Sequence, residues 1–159
     1  MSSKAKPSTP GPRRNRKLLV VDDDPAVREM IRRVLVDEGY EVLSAESGRE
    51  ALEKMIDAQL DLVLLDLNMP GQGGWDVFCE LTARDPLLAV VIITAKPNQV
   101  FTSMGAGVGA LLEKPLDFPM LIQTVASLLA ESPEERLARL AGARRDFYYH
   151  PSTGHEPRP

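Results

Sequence analysis

Apolar residues fall in five short runs, each bounded by polar or turn-forming residues. The runs are Leu18-Leu19-Val20-Val21, Tyr40-Glu41-Val42-Leu43-Ser44-Ala45, Asp61 to Asp66 through Leu62-Val63-Leu64-Leu65, Ala89 to Thr94 through Val90-Val91-Ile92-Ile93, and Gly109-Ala110-Leu111-Leu112. Continuous apolar runs of this length predict strands of a parallel sheet buried on both faces, and the more polar run at 40–45 suits an edge. Between them the period changes from two to near 3.6. Val27, Met30, Ile31, Val34 and Leu35 follow Pro25 at helical spacing and stop at Gly39, a helix begun by proline and ended by glycine. Ser47 and Glu50 form a capping-box pattern ahead of Ala51, Leu52, Met55 and Ile56. Further helices are predicted over about 75–84, weakly over 98–104, and over 117–130. In the first of these, Cys79 is expected to pack with Val77, Phe78 and Leu81. Alternating strands and helices define an α/β doubly wound fold.

All strands of a parallel sheet point one way, so their C-terminal ends share the edge where open α/β sheets bind ligands. Here that edge collects Asp22-Asp23-Asp24, Asp66, Thr94 and Glu113-Lys114. Carboxylates suited to a hard metal, a nucleophile, a hydroxyl and a cation are the parts of phosphoryl chemistry. Asp24, immediately before Pro25, reads as a helix N-cap. Gly105-Ala106-Gly107-Val108-Gly109 is glycine-rich, but a strand follows it, which excludes a dinucleotide-binding loop.

Charge divides the chain. Residues 1–17 carry six basic residues and no acid, whereas residues 18–131 carry 19 acids against eight basic residues. An acidic body argues against DNA binding by the folded domain, and no apolar stretch approaches the ~20 residues of a membrane span. With one cysteine the chain can form no internal disulfide, consistent with a cytoplasmic location. Three regions are expected: a disordered basic leader over 1–16, one folded domain over 17–131, and an extension over 132–159. In the extension Ser132-Pro133-Glu134-Glu135 signals a short helix with an apolar stripe at Leu137 and Leu140. A disordered tail is expected after it. His150 and His155 lie in that tail with no other ligand types around them, so no metal role is expected there.

Four motifs in order, Leu19-Val20-Val21-Asp22-Asp23-Asp24-Pro25, Leu65-Asp66-Leu67-Asn68-Met69-Pro70, Ile93-Thr94-Ala95 and Lys114-Pro115, resemble the receiver domain of bacterial two-component response regulators. The resemblance covers Lys17 to about Ala130. It implies a flavodoxin-like five-stranded sheet of order 2-1-3-4-5 and an often cis Lys114-Pro115 bond. It also implies Asp66 as phosphoacceptor, with Thr94 and Lys114 assisting catalysis. Asp22, Asp23, Asp66 and the Asn68 carbonyl would hold Mg2+, Asp22 partly through water. The implied partners are a sensor histidine kinase or phosphotransfer protein and a downstream protein target, in a monomer or weak dimer that is not an enzyme in its own right. Leu111 stands at the switch position where the family usually has an aromatic ring, and the stretch from Thr94 to Lys114 is shorter than usual. These departures raise a second expectation, an interaction module that signals without phosphorylation. A magnesium-dependent phosphatase lacks an evident general base.

Overall fold

The computed structural model describes residues 15–69, 73–95, 107–141 and 148–151. The first turn of the chain's first helix shows how local chemistry sets its boundaries. Asp24 Oδ1 accepts from the amides of Ala26 and Val27, Pro25 occupies the first turn, and Gly39 adopts φ +95° just past the end. Order along the chain is β1 (Lys17–Val21), α1 (Pro25–Asp37), β2 (Glu41–Ala45), α2 (Gly48–Asp57), β3 (Leu62–Asp66), α3 (Gly74–Arg84), β4 (Ala89–Thr94), β5 (Ala110–Glu113), α4 (Phe118–Leu129), α5 (Pro133–Leu140) and β6 (Tyr148–His150). The helix expected over 98–104 and nearly all of the expected leader lie outside the described residues.

The strands form one parallel sheet of order β2-β1-β3-β4-β5-β6. Its first five strands match the expected arrangement, with β2 at one edge. The sixth was not expected: Tyr148–His150, placed by sequence in a disordered tail, pairs parallel with β5. A three-residue strand carries no measurable alternation, and Pro and Gly around it signal loop, so periodicity could not reveal it.

Period-two alternation divides the core between the sheet's two faces. Leu18, Val20, Leu62, Leu64, Val91 and Leu112 pack under α1 and α4 with Ile31, Leu35, Leu121, Val125 and Leu128. Leu19, Val21, Val63, Leu65, Val90 and Leu111 pack under α2 and α3 with Ala51, Leu52, Val77, Phe78 and Leu81. Among the described residues, none beyond Leu129 belongs to either cluster. Cys79 does not join its neighbours. It is exposed, because one residue past Phe78 turns it about 100° away from the 74/77/78/81 stripe.

The expected capping box is half formed. Ser47 Oγ accepts from the Glu50 amide (3.2 Å), but the Glu50 carboxylate takes the amide of Glu46 (3.0 Å), one residue further back. Gly74 opens α3 where a Cβ would lie 2.6 Å from Leu67 Cα. Only glycine lets this helix start so close to the chain leaving β3.

Candidate functional site

The ends of β1, β3, β4 and β5 are locked in register before any side chain acts. The Asp22 amide donates to the Ala45 carbonyl (3.2 Å), the Leu67 amide to Ile93 (3.1 Å), and the Lys114 amide to Thr94 (2.9 Å). Asp66 and Thr94 are the last residues of their strands, and Asp22 and Lys114 immediately follow theirs.

Within this frame the Lys114 ammonium lies 3.2 Å from Asp22 Oδ2 and 3.1 Å from Asp66 Oδ2. Asp66 Oδ1 accepts the Asn68 amide at 2.8 Å, and Asp22 Oδ1 accepts the Asp24 amide at 2.9 Å. Each carboxylate is thus clasped from two sides. The side-chain amide of Asn68 donates to Thr94 Oγ1 at 3.3 Å. Asp22, Asp66 and Thr94 are buried while Asp23 is exposed, and one oxygen from each of Asp22, Asp23 and Asp66 falls within 4.8 Å of the others. The Lys114–Pro115 peptide is cis.

The electrostatics follow from this crowding. Burial, helped by the charge of Asp66, pushes the Asp22 carboxyl above its ordinary range against the opposing pull of the Asp24 amide and Lys114. Burial acts against the Lys114 ammonium too, but Asp66 and Asp22 outweigh it and hold the group charged beyond the usual lysine range. Among the described residues, one ammonium against three clustered carboxylates leaves a negative surplus. The donor set fits a magnesium ion: carboxylate oxygens are hard ligands, and ligands at ~2.0–2.1 Å from one ion stand no more than ~4.2 Å apart.

Every expected site residue lies at this edge except Leu111, which is fully buried one layer below, paired with Ile92 of β4 and Tyr149 of β6. Asp24 caps α1 and stands outside the cluster. Two contacts were not foreseen from sequence. Arg28 reaches back from α1 to donate to the Asp22 carbonyl at 2.7 Å, and Asn68 uses its side chain on Thr94. Both depend on rotamers that residue spacing does not report, although a basic residue in the first turns of a helix just after an acidic strand end is a usable hint.

The response regulator receiver domain model matches residues 18–126. The transcriptional regulatory protein GlrR of Escherichia coli is 37% identical over 118 residues, 72% of this chain and 26% of that protein. The DNA-binding response regulator MtrA of Mycolicibacterium smegmatis is 36% identical over 121 residues, covering 75% and 53%. The chain therefore spans from a quarter to about half the length of these relatives. Among solved structures, the response regulator TrrA of Thermotoga maritima, in complex with Mg(2+)-BeF, superposes with a TM-score of 0.66 at 34% identity over 71% of this chain and 98% of that one. A CheY-like receiver domain protein from Methanospirillum hungatei gives 0.69 at 26% identity, covering 77% and 97%. A parallel sheet of this order with an acidic pocket at its carboxyl edge defines a two-component signalling domain. The chain belongs to the response regulator receiver domains, a family of phosphoaccepting signalling domains, generally not enzymes, that bind Mg2+ in an acidic pocket and work with histidine kinases or phosphotransfer proteins.

Proposed function

We propose that this chain accepts a phosphoryl group on Asp66 from a sensor histidine kinase or phosphotransfer protein, in the cytoplasm, and signals through phosphorylation-altered binding of a downstream protein. The observation that carries the reading is the Lys114 ammonium between Asp22 and Asp66, at 3.2 and 3.1 Å. A carboxylate is a weak nucleophile, and among the described residues each Asp66 oxygen accepts one hydrogen bond, leaving a lone pair for attack. In the transfer, an Asp66 oxygen forms the new bond to phosphorus as the bond from phosphorus to the donor imidazole nitrogen breaks. The imidazole leaves with that electron pair. Asp22, Asp23, Asp66 and the Asn68 carbonyl would hold Mg2+, which when bound offsets phosphoryl charge. Lys114 and the Thr94 hydroxyl would then pair with the transferred oxygens, and Asn68 and Arg28 act as positioning residues through Thr94 and the Asp22 backbone.

The modification adds close to two negative charges at the edge where β4 and β5 both end. Driving a two-state response from 1:99 to 99:1 takes ~5.5 kcal/mol of differential interaction. One observation favours the alternative of a phosphorylation-independent interaction module: Leu111 is fully buried in the core, with no ring to exchange between a buried and an exposed position. Incubation with acetyl phosphate and magnesium, followed by intact mass measurement, separates the two. One phosphoryl mass is expected on the native chain and none on Asp66→Asn; a phosphoryl gain on Asp66→Asn defeats the assignment, and no gain on the native chain favours the alternative.

A further inference from the structure

An outermost strand presents a row of unpaired amides and carbonyls to which another chain can add. With the sheet ending at β5, that strand would be β5 itself. Instead Tyr148–His150 lies parallel along it, in register Ala110↔Tyr148, Leu111↔Tyr149 and Leu112↔His150. The preceding helix α5 brings the chain there. Arg136 donates to the carbonyls of Leu87 (2.7 Å) and Leu128 (3.4 Å). Arg139 grips Glu131 through two contacts of 3.2 and 2.9 Å and donates to the Gly107 carbonyl at 3.0 Å. Gly107 has φ +80°, and a Cβ there would stand 2.8 Å from Leu140 Cδ2. The end of α5 is therefore fixed against the chain just before it enters β5. At the far end, His150 borders a cavity of about 120 Å³ with apolar walls from Leu112, Leu116 and Met120 and acidic groups at Glu113 and Asp117.

We propose that the outer edge of β5 is a strand-docking surface whose resident occupant is this chain's own Tyr148–His150, an autoinhibitory strap that a partner strand must displace. The anchoring is unequal in a way that suits displacement. The α5 end is held by a buried ion pair, whereas β6 adds three residues of backbone pairing. Three residues of ladder are what β6 gives up in leaving β5. The partner this edge fits is an extended peptide running parallel to β5, with an imidazole or small basic side chain at the position of His150, where the charge of Asp117 attracts it. Main-chain bonds to β5 would supply affinity and that cavity would supply selectivity. None of this depends on the chemistry of Asp66.

The test uses the full chain and a blocked peptide copying residues 147–151 as the probe. Tyr149→Pro removes an amide and cannot sit in the ladder, so the residue 110–112 amides facing β6 should exchange on the order of tenfold faster than in the native chain. The peptide, at millimolar concentration to match a tethered segment, should bind Tyr149→Pro and restore that protection. It should bind the native chain on the order of tenfold more weakly, because the tethered copy competes. His150→Glu, which sets a second carboxylate near Asp117, should release the strap in the same direction and serves if Tyr149→Pro proves poorly folded by circular dichroism. Unchanged protection of residues 110–112 in the folded variants, or equal peptide affinity for native and variant chains, overturns the proposal.

Discussion

At the scale of single residues, three consecutive aspartates do different work although sequence alone offers the same carboxylate three times. Asp22 is buried with its oxygens turned to Lys114 and the Asp24 amide, Asp23 is exposed at the mouth of the cluster, and Asp24 turns away to cap α1. Removing them should therefore have separable consequences. Asp23→Ala should weaken magnesium binding by tenfold or more, about 1.4 kcal/mol, with little change in stability, since an exposed carboxylate is lost. Asp24→Ala should cost ~1 kcal/mol of stability through the lost cap and leave magnesium affinity close to native. Isothermal titration of metal into both variants, paired with urea unfolding, checks the division. Equal losses of metal affinity would mean that Asp24 rotates into the cluster when the ion binds. The strand-end positions of Asp22, Asp66, Thr94 and Lys114 were legible because topology places them whatever their rotamers. The clasp around each carboxylate was not, because Arg28 and the Asn68 side chain act through rotamers set only after folding.

At the scale of elements, legibility tracked the length and uniformity of the pattern. β3 and β4 are apolar almost throughout and were read to within a residue. α5 forms where the helix-start signature places it, but its apolar stripe is not the face that is buried. Leu137 and Leu140 form its apolar stripe, yet Leu137 is 54% exposed while Arg139 is 9% exposed, because Glu131 and the Gly107 carbonyl together satisfy a guanidinium that periodicity scores as polar. Arg139→Met would leave the Glu131 carboxylate in place without its bidentate partner. Breaking a buried pair from one side typically costs ~3–5 kcal/mol, so α5 should detach from the body; Leu137→Ala should change stability by less than ~0.5 kcal/mol. Urea unfolding with exchange at residues 133–140 checks the ranking, and a larger effect at Leu137 would contradict the observed burial. The neighbouring β6 carries its own pH dependence. Burial holds the His150 imidazole below its ordinary range despite the attraction of Asp117. A group with a depressed pKa in the folded state supports that state fully above its unfolded value of about 6.5, and the support is lost as pH falls through the depressed value. Acidification from about 7.5 to about 5 should therefore loosen Tyr148–His150 before the body unfolds. Exchange or limited proteolysis of the tail across that range would show it, and His150→Gln should flatten the response. A tail whose protection is unchanged over the same interval in the native chain would argue against the burial of His150.

At the scale of the whole molecule, the body and its extension are energetically unequal partners. Among the described residues both hydrophobic clusters lie within 18–129, and the strand ends of the site are held by β1–β3 pairing and by the Leu67–Ile93 and Lys114–Thr94 backbone bonds, with nothing beyond Lys114. The described contacts of the extension are the hold of Arg136 and Arg139 on carbonyls of Leu87, Leu128 and Gly107, and the pairing of β6 along β5. A chain shortened to residues 17–131 should fold and, if Asp66 is the acceptor, take up a phosphoryl group from acetyl phosphate at a rate within about twofold of the full chain. Its melting temperature should drop, since these contacts go and Glu131 loses both arginines; a loss of ~1 kcal/mol corresponds to roughly 4–8 °C for a domain near this size. Its edge should behave differently as well. β5 would then present bare amides beside an all-apolar strand, the arrangement that invites edge-to-edge pairing, so sedimentation should show concentration-dependent association absent from the full chain. Scanning calorimetry, phosphoryl uptake by intact mass and sedimentation velocity on the two chains separate these effects. Failure of the short chain to fold would mean that α5 completes the core rather than straps it. Normal folding without association would mean that the β5 edge is protected by something other than Tyr148–His150.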